Sequence, residues 1–297
     1  MICLNAGDDE GIAPCVFVIV KVFFLQCTAT CAIIQGEGRD TMDYNYHTHT
    51  ARCHHAVDTA EEYIERAVSC GIKYMGFSDH APFPHPDGKE AGYRVCVAEG
   101  KAYCDEIKAL KEKYKEKIDI KVGFEMEYFP DSFPEMLERV KSYGAEYLIL
   151  GQHFAKEEYY HVPYAGVATD DMEYLKLYVK TVIEGMATGK FTYVAHPDLI
   201  RYTGNEEIYK EEMRKICIAS RECGIPLEIN FLGIYDGRHY PNEEFWAIAA
   251  EEKSPVTFGI DAHDAKRAFD SESLIKAEEM VKRLGLNYIG KPDILFI

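Results

Sequence analysis

The 297-residue chain has no CxxC pair, no internal repeat, no low-complexity linker and one tryptophan. Without CxxC there is neither a zinc knuckle nor a thioredoxin-like motif. Basic residues are in deficit: 33 Lys and Arg stand against 50 Asp and Glu, a formal net charge of −17. A duplex-binding protein needs a basic face, so nucleic acid is not expected as the main partner. Small anionic substrates stay compatible, because local metal ions and arginines override the global field. Hydrophobic content of 47% and charged content of 28% exclude a disordered or collagenous chain. A chain this long buries a core without needing a disulfide or a metal merely to fold.

The ten cysteines show no disulfide framework. Cys3, Cys15, Cys27 and Cys31 lie in the first 41 residues, and the other six are scattered, several of them inside amphipathic helical patterns. Scattered thiols in a long α/β chain point to a reducing, cytoplasmic compartment. Residues 11–35 are apolar and β-branched, a composition shared by signal peptides, membrane anchors and buried strands. Asp8, Asp9 and Glu10 stand where a signal peptide carries positive charge. Lys21 interrupts the run, leaving no continuous apolar stretch of about 20 residues, so no membrane span is expected. The favoured reading is an extension over residues 1–41, with Met42 the start of the catalytic domain at 42–297.

From Asp43 onward, short apolar runs alternate with amphipathic helical patterns, as in a parallel β/α architecture. Strands are expected over 43–47, 74–78, 118–127, 146–151, 191–195, 226–231 and 256–260. Helices are expected over 59–70, 97–116, 132–143, 170–188, 206–223, 242–253 and 271–284. Asp58 and Asp170 read as N-caps, and Gly71, Gly144, Gly189 and Gly224 as helix-closing glycines. Seven β/α units without a long interruption favour a closed barrel over an open sheet.

The histidines carry the chemistry. None of the eleven falls inside a helical pattern. His47 and His49 (YNYHTHT), His80 (GFSDHA), His153 (ILGQHF), His196 (YVAHPD) and His263 (FGIDAH) follow strand ends, and Glu125 (VGFEMEY) ends the third strand. In a β/α barrel the C-terminal strand ends share one face, where catalytic groups collect. Residues two apart on a strand share a face, so His47/His49 and Asp261/His263 each converge. One such histidine alone is an ordinary loop residue; six strand ends supplying His or Glu predict a metal cluster. Imidazole and carboxylate without thiolate suit zinc, manganese or iron alike. The donors outnumber one tetrahedral shell, so two or three divalent ions are expected.

The motifs HTHT with CHHA, then SDH, GFEMEY, GQHF, AHPD and GIDAH, resemble in order those of the polymerase-and-histidinol-phosphatase (PHP) phosphoesterases, from about Asp43 onward. SDHAPFP, YRVCVAEGKAYCDEI, LEIN and RHYPNEEFW are most similar to the histidinol-phosphate phosphatase branch. The resemblance implies an α/β fold, a distorted (β/α)7 TIM-like barrel, with a trinuclear site. His47, His49, Glu125 and Asp261 would hold one ion, Glu125 would bridge to a second held by His153 and His196, and His55, His80 and His263 would hold the third. His54 beside His55 is a local ambiguity, and Glu127 is left with an open role. The implied reaction is hydrolysis of a small phosphomonoester, L-histidinol phosphate, with Glu125, Asp261 and His263 as catalytic residues. A nucleotide phosphoesterase or exonuclease is the alternative. Phosphate also calls for arginine: Arg238 in GIYDGRHYP is the first choice, then Arg94 and Arg201, with Arg267 weaker.

Overall fold

A computed structural model of the protein describes residues 42–297, which form a compact unit of their own. The apolar segment 11–35 and the expected extension 1–41 lie outside the described residues. Eight parallel strands follow in chain order: β1 Tyr44–Asn45, β2 Tyr74–Phe77, β3 Asp119–Met126, β4 Tyr147–Gly151, β5 Val194–Ala195, β6 Leu227–Asn230, β7 Pro255–Gly259 and β8 Asn287–Tyr288. The seven expected strand positions are all occupied, several by shorter elements; the two-residue β8 is an addition that pairs with β7.

The sheet curls on itself. Beyond the end of β1, Thr48 pairs in parallel with Ala262 beyond β7, and the His49 amide donates to the Ala262 carbonyl at 2.9 Å. Lower down, the Tyr44 hydroxyl reaches Thr257 Oγ1 at 3.0 Å and the Tyr288 hydroxyl at 3.1 Å. Tyr147 of β4 donates its hydroxyl to the Tyr46 carbonyl at 2.8 Å. A side chain at Gly76 or Gly123 would strike that ring, so these strand glycines make room for it. Buried tyrosines thus floor the barrel, each combining apolar bulk with a polar tip that needs a partner.

Helices cover the outside: α1 Ala60–Ser69, α2 Gly100–Tyr114, α3 Phe133–Tyr143, α4 Met172–Ala187, α5 Glu206–Cys223, α6 Phe231–Asp236, α7 Glu243–Glu252 and α8 Ser271–Leu284. Seven follow the expected pattern; the short α6, directly after β6, has no periodicity long enough to read. Both expected N-caps are displaced by one residue. Thr59 caps α1, with Glu62 closing a capping box, and Asp171 caps α4. Thr59 prevails because Thr-x-x-Glu satisfies two orphan donors reciprocally, an arrangement worth about 1 kcal/mol. Asp58 instead accepts from the Ala265 amide. The helix-closing glycines are as expected, all with positive φ.

Candidate metal centre

The strand ends bring the expected donors together: His55, His80, Glu125, His153, His196, Asp261 and His263 line one cavity of about 520 Å³, and His47 and His49 are fully buried. Glu125 is central and fully buried. Its Oε2 lies 3.4 Å from His47 Nε2, 3.4 Å from His49 Nε2 and 3.1 Å from His80 Nδ1. Its Oε1 faces a different pair, His196 Nε2 at 2.9 Å and His153 Nε2 at 3.4 Å. Across the cavity, Asp261 Oδ1 lies 3.4 Å from His47 Nε2, 3.2 Å from His49 Nε2 and 3.4 Å from His263 Nδ1. His196 and Asp261 both hold positive φ, at +31° and +55°. Left-handed backbone at non-glycine residues persists only where the surroundings enforce it, commonly at functional sites.

The donor set fits divalent ions on a test internal to the structure. His47 Nε2, His49 Nε2, His80 Nδ1, Glu125 Oε2 and Asp261 Oδ1 are buried, face one another and have no hydrogen-bond partner. Buried polar atoms are almost always paired, and five orphans converging on one space suit a cation. The His55–His263 pair gives the same answer. His55 Nδ1 donates to the Cys53 carbonyl at 2.8 Å and His263 Nδ1 to the Asp261 carbonyl at 3.0 Å. A carbonyl only accepts, so the proton sits on Nδ1 and each neutral ring has a bare lone pair on Nε2. Those two Nε2 atoms lie 2.9 Å apart, an arrangement that a shared cation satisfies.

Electrostatics agree. Burial pushes the Glu125 carboxyl up, but His153, His80, His47 and His196 more than offset it and leave it well below the usual carboxylate range. Asp261 is likewise held low against its burial, by His47, His49 and His263. Burial, aided by neighbouring His263, drives His49 down to about 3. Ionised carboxylates and a neutral imidazole are the forms that ligate metal. His47 differs: burial lowers it, yet Asp261, Glu228 and Glu125 together raise it well above its ordinary value.

An outer ring orients these ligands. Glu228, in the LEIN strand, accepts from His47 Nδ1 at 2.9 Å, which turns Nε2 to the cavity. Asn230 donates to Glu228 Oε1 at 2.7 Å and to Asp261 Oδ2 at 3.0 Å. Glu127 accepts from His153 Nδ1 at 3.1 Å, so it orients a ligand rather than facing the cavity with Glu125. Carboxylate–imidazole pairs of this kind fix the tautomer and raise ligand basicity. Asp79 accepts from the Thr50 amide and hydroxyl at 2.7 and 2.6 Å, fastening the segment after β1. Glu228 and Asn230 escaped sequence reasoning, although their spacing of two on one strand, aimed at the ligand face, was the available signal.

The arginines separate. Arg238 lines the cavity, bonded to the Tyr240 hydroxyl at 2.9 Å and to Asp236 Oδ2 at 2.9 Å. Arg267 also lines it, 3.6 Å above the Tyr235 ring. Arg94 does not: it is 1% exposed, with its guanidinium bonded to both Glu127 oxygens at 2.8 Å and to both Glu158 oxygens at 3.2 and 3.1 Å. With its guanidinium taken up by two buried carboxylates and the Ala81 carbonyl, it is withdrawn from the substrate space. Arg201 is exposed and outside the cavity lining; its backbone bonds to Ala165 and Thr169. Tyr93, Phe154, Tyr164, Leu232 and Tyr240 add aromatic and apolar wall; Tyr93, Phe154 and Tyr240 fall inside quoted motifs, but nothing in those motifs singled them out.

Residues 45–231, more than half of the chain, match the PHP domain, and the chain belongs to that family. It is similar to the histidinol-phosphatase of Bacillus subtilis, 26% identical over 74% of this chain and 92% of that protein. The histidinol-phosphatase of Lactococcus lactis is also 26% identical, over 84% of this chain and 93% of that one. Among solved structures, the histidinol phosphate phosphatase of Lactococcus lactis complexed with zinc, L-histidinol and phosphate shares the fold. That match has a TM-score of 0.63 at 22% identity and covers 85% of this chain and 99% of that one. Among the described residues, no helix is long and apolar enough to cross a membrane.

Proposed function

We propose that the protein is a metal-dependent phosphomonoesterase that hydrolyses L-histidinol phosphate to L-histidinol and phosphate. The observation that carries this reading is Glu125, whose two oxygens face two separate histidine groups at the floor of a cavity with Arg238 on its wall. His47, His49, Glu125 and Asp261 are the donors for one ion, Glu125, His153 and His196 for a second, and His55, His80 and His263 for a third. When bound, divalent ions at such donors bring the pKa of water into the neutral range and neutralise phosphoryl oxygens. The chain's own groups do the rest. Arg238 presents a planar fork to the phosphate, and Asp261 or a site histidine takes the proton given up by the attacking water and passes it to the leaving alkoxide. Tyr93, Phe154 and Tyr164 line the cavity with aromatic surface that suits an imidazole. The small phosphomonoester is the partner, and the described cysteines, which form no disulfide, suit a cytoplasmic biosynthetic enzyme.

The test is turnover by metal-loaded protein on histidinol phosphate, nucleoside monophosphates and short single-stranded DNA, compared as kcat/KM. Histidinol phosphate should exceed the others by at least tenfold. A nucleotide or DNA preferred over it overturns the substrate, and no turnover of any phosphoester overturns the enzyme.

A further inference from the structure

His54 and Cys96 are not used by the site described above, yet the fold brings them together beside it. His54 ends the short 3-10 turn Ala51–Cys53 in a left-handed conformation, φ +63°, which turns its ring away from the cavity that His55 lines. Cys96 lies just before α2, and Glu99 is the residue at its N-cap position. One ligand atom from each of His54, Cys96 and Glu99 lies within 4.8 Å of the others. The residues come from the turn after β1 and the entry to α2. His54 is exposed and the other two are half-buried, so an ion reaches them from solvent.

The spacing suits a metal. Cys96 Sγ lies 3.5 Å from His54 Nε2. A tetrahedral zinc ion sits about 2.3 Å from sulfur and about 2.0–2.1 Å from imidazole nitrogen, which puts those two atoms about 3.5 Å apart. Glu90, whose Oε2 accepts from the Val97 amide at 2.9 Å, and Glu99 both carry negative charge next to the thiol. A carboxylate of Glu99 completes a three-residue face and leaves a fourth position to water. Thiolate with imidazole is a soft donor set, unlike the imidazole–carboxylate set of the cavity.

We propose that His54, Cys96 and Glu99 form an accessory site for a soft divalent ion, zinc above all, outside the metal centre. Binding moves the thiol proton to solvent and forms a sulfur–metal bond, with no change of oxidation state. The ion ties the Ala51–Cys53 turn, which leads directly into His55, to the start of α2. It therefore steadies one wall of the metal centre without entering it.

Cobalt(II) is the probe, because thiolate ligation gives a near-ultraviolet charge-transfer band that imidazole and carboxylate ligands do not. The metal-loaded full chain is titrated with cobalt(II), and bound zinc is counted in parallel samples. The parent should show the band and bind one zinc equivalent more than Cys96→Ser, which should lose the band while keeping the remaining metal. His54→Ala should weaken the band's cobalt affinity by at least tenfold, whereas Cys53→Ser, which removes the buried thiol next to His54 in sequence, should retain the band. A parent without the band, or a band that survives in Cys96→Ser, overturns the proposal and leaves Cys96 and His54 as a thiol–imidazole contact. Because the readout is spectroscopic and stoichiometric, failure of the substrate assignment leaves this outcome untouched.

Discussion

Gly151→Ala adds one methyl group and tests the centre at its most crowded point. Gly151 ends β4, and its φ lies outside the left-handed region, so alanine brings no backbone strain. A β-carbon there would fall on the Glu125 carboxylate, 2.5 Å from Cδ and 2.6 Å from Cγ. Ordinary contact begins near 3.4 Å, so the carboxylate must retreat by roughly 1 Å, several times the ±0.2 Å tolerance of a ligand distance. It has nowhere to go along the main chain: the Glu125 carbonyl accepts from the Ala81 amide at 2.8 Å, and its amide donates to Ser78 at 3.1 Å. The side chain therefore swings off its histidines. The loss should reach at least the ten- to hundredfold in metal affinity or activity that removal of an outer orienting partner costs. Metal analysis after dialysis, kcat on histidinol phosphate and far-ultraviolet circular dichroism should show depleted metal, depressed turnover and an intact fold. A Gly151→Ala protein with the parent's metal content and turnover would refute the bridging position of Glu125.

Glu125→Gln should cost more activity than replacing His153 or His196 singly, since it weakens two ion positions; equal losses count against bridging. Arg238→Ala should keep full metal but lose a charge-assisted hydrogen bond worth ~1.5–3 kcal/mol, roughly ten- to a hundredfold in kcat/KM; lysine should restore only part, and unchanged kinetics would remove Arg238 from substrate binding. Arg94→Met leaves the buried Glu127 and Glu158 with only His153 and His85 as partners, at about 3–5 kcal/mol, and at roughly 2–4 °C per kcal/mol the Tm should fall by about 6–20 °C; an unchanged melting curve refutes its role as a clamp. A chain beginning at Met42 should fold, bind metal and turn over as the full chain does, a comparison that tests the 1–41 boundary directly.

Most candidate donors of the ligand shell were legible because they sit where an alternating β/α pattern ends, and strand ends of a parallel barrel must converge; His55, beyond the Ala51–Cys53 turn, came only with the family resemblance. What lies behind that shell was less accessible. Glu228 reads as an ordinary strand residue until His47 is seen to donate to it. Arg94 shares loop position and residue type with a phosphate ligand, yet two acidic residues from distant segments claim its guanidinium. Its partner Glu158 is 64 positions away, beyond any local pattern. The same holds for Asp198 of AHPD, which accepts from Trp246 Nε1 at 3.1 Å and the Asn242 amide at 2.5 Å, tying the lone tryptophan under the His196 loop. Short elements such as α6 and β8 carry too few residues for a period to emerge.

The closure of the barrel has a consequence for the order in which the protein is made. Tyr44 and Thr257, which join the first and seventh strands, are 213 positions apart, and His55 and His263 are separated by 208. At about 5–20 residues per second, roughly 10–40 s of translation separate the emergence of His47 and His49 from that of Asp261 and His263. During that interval the nascent chain displays imidazoles without their carboxylate partner from β7, and the full set of donors does not exist. A complete donor set therefore exists only once the last β/α unit has docked, so the first and last strands must meet before every expected ion position is closed.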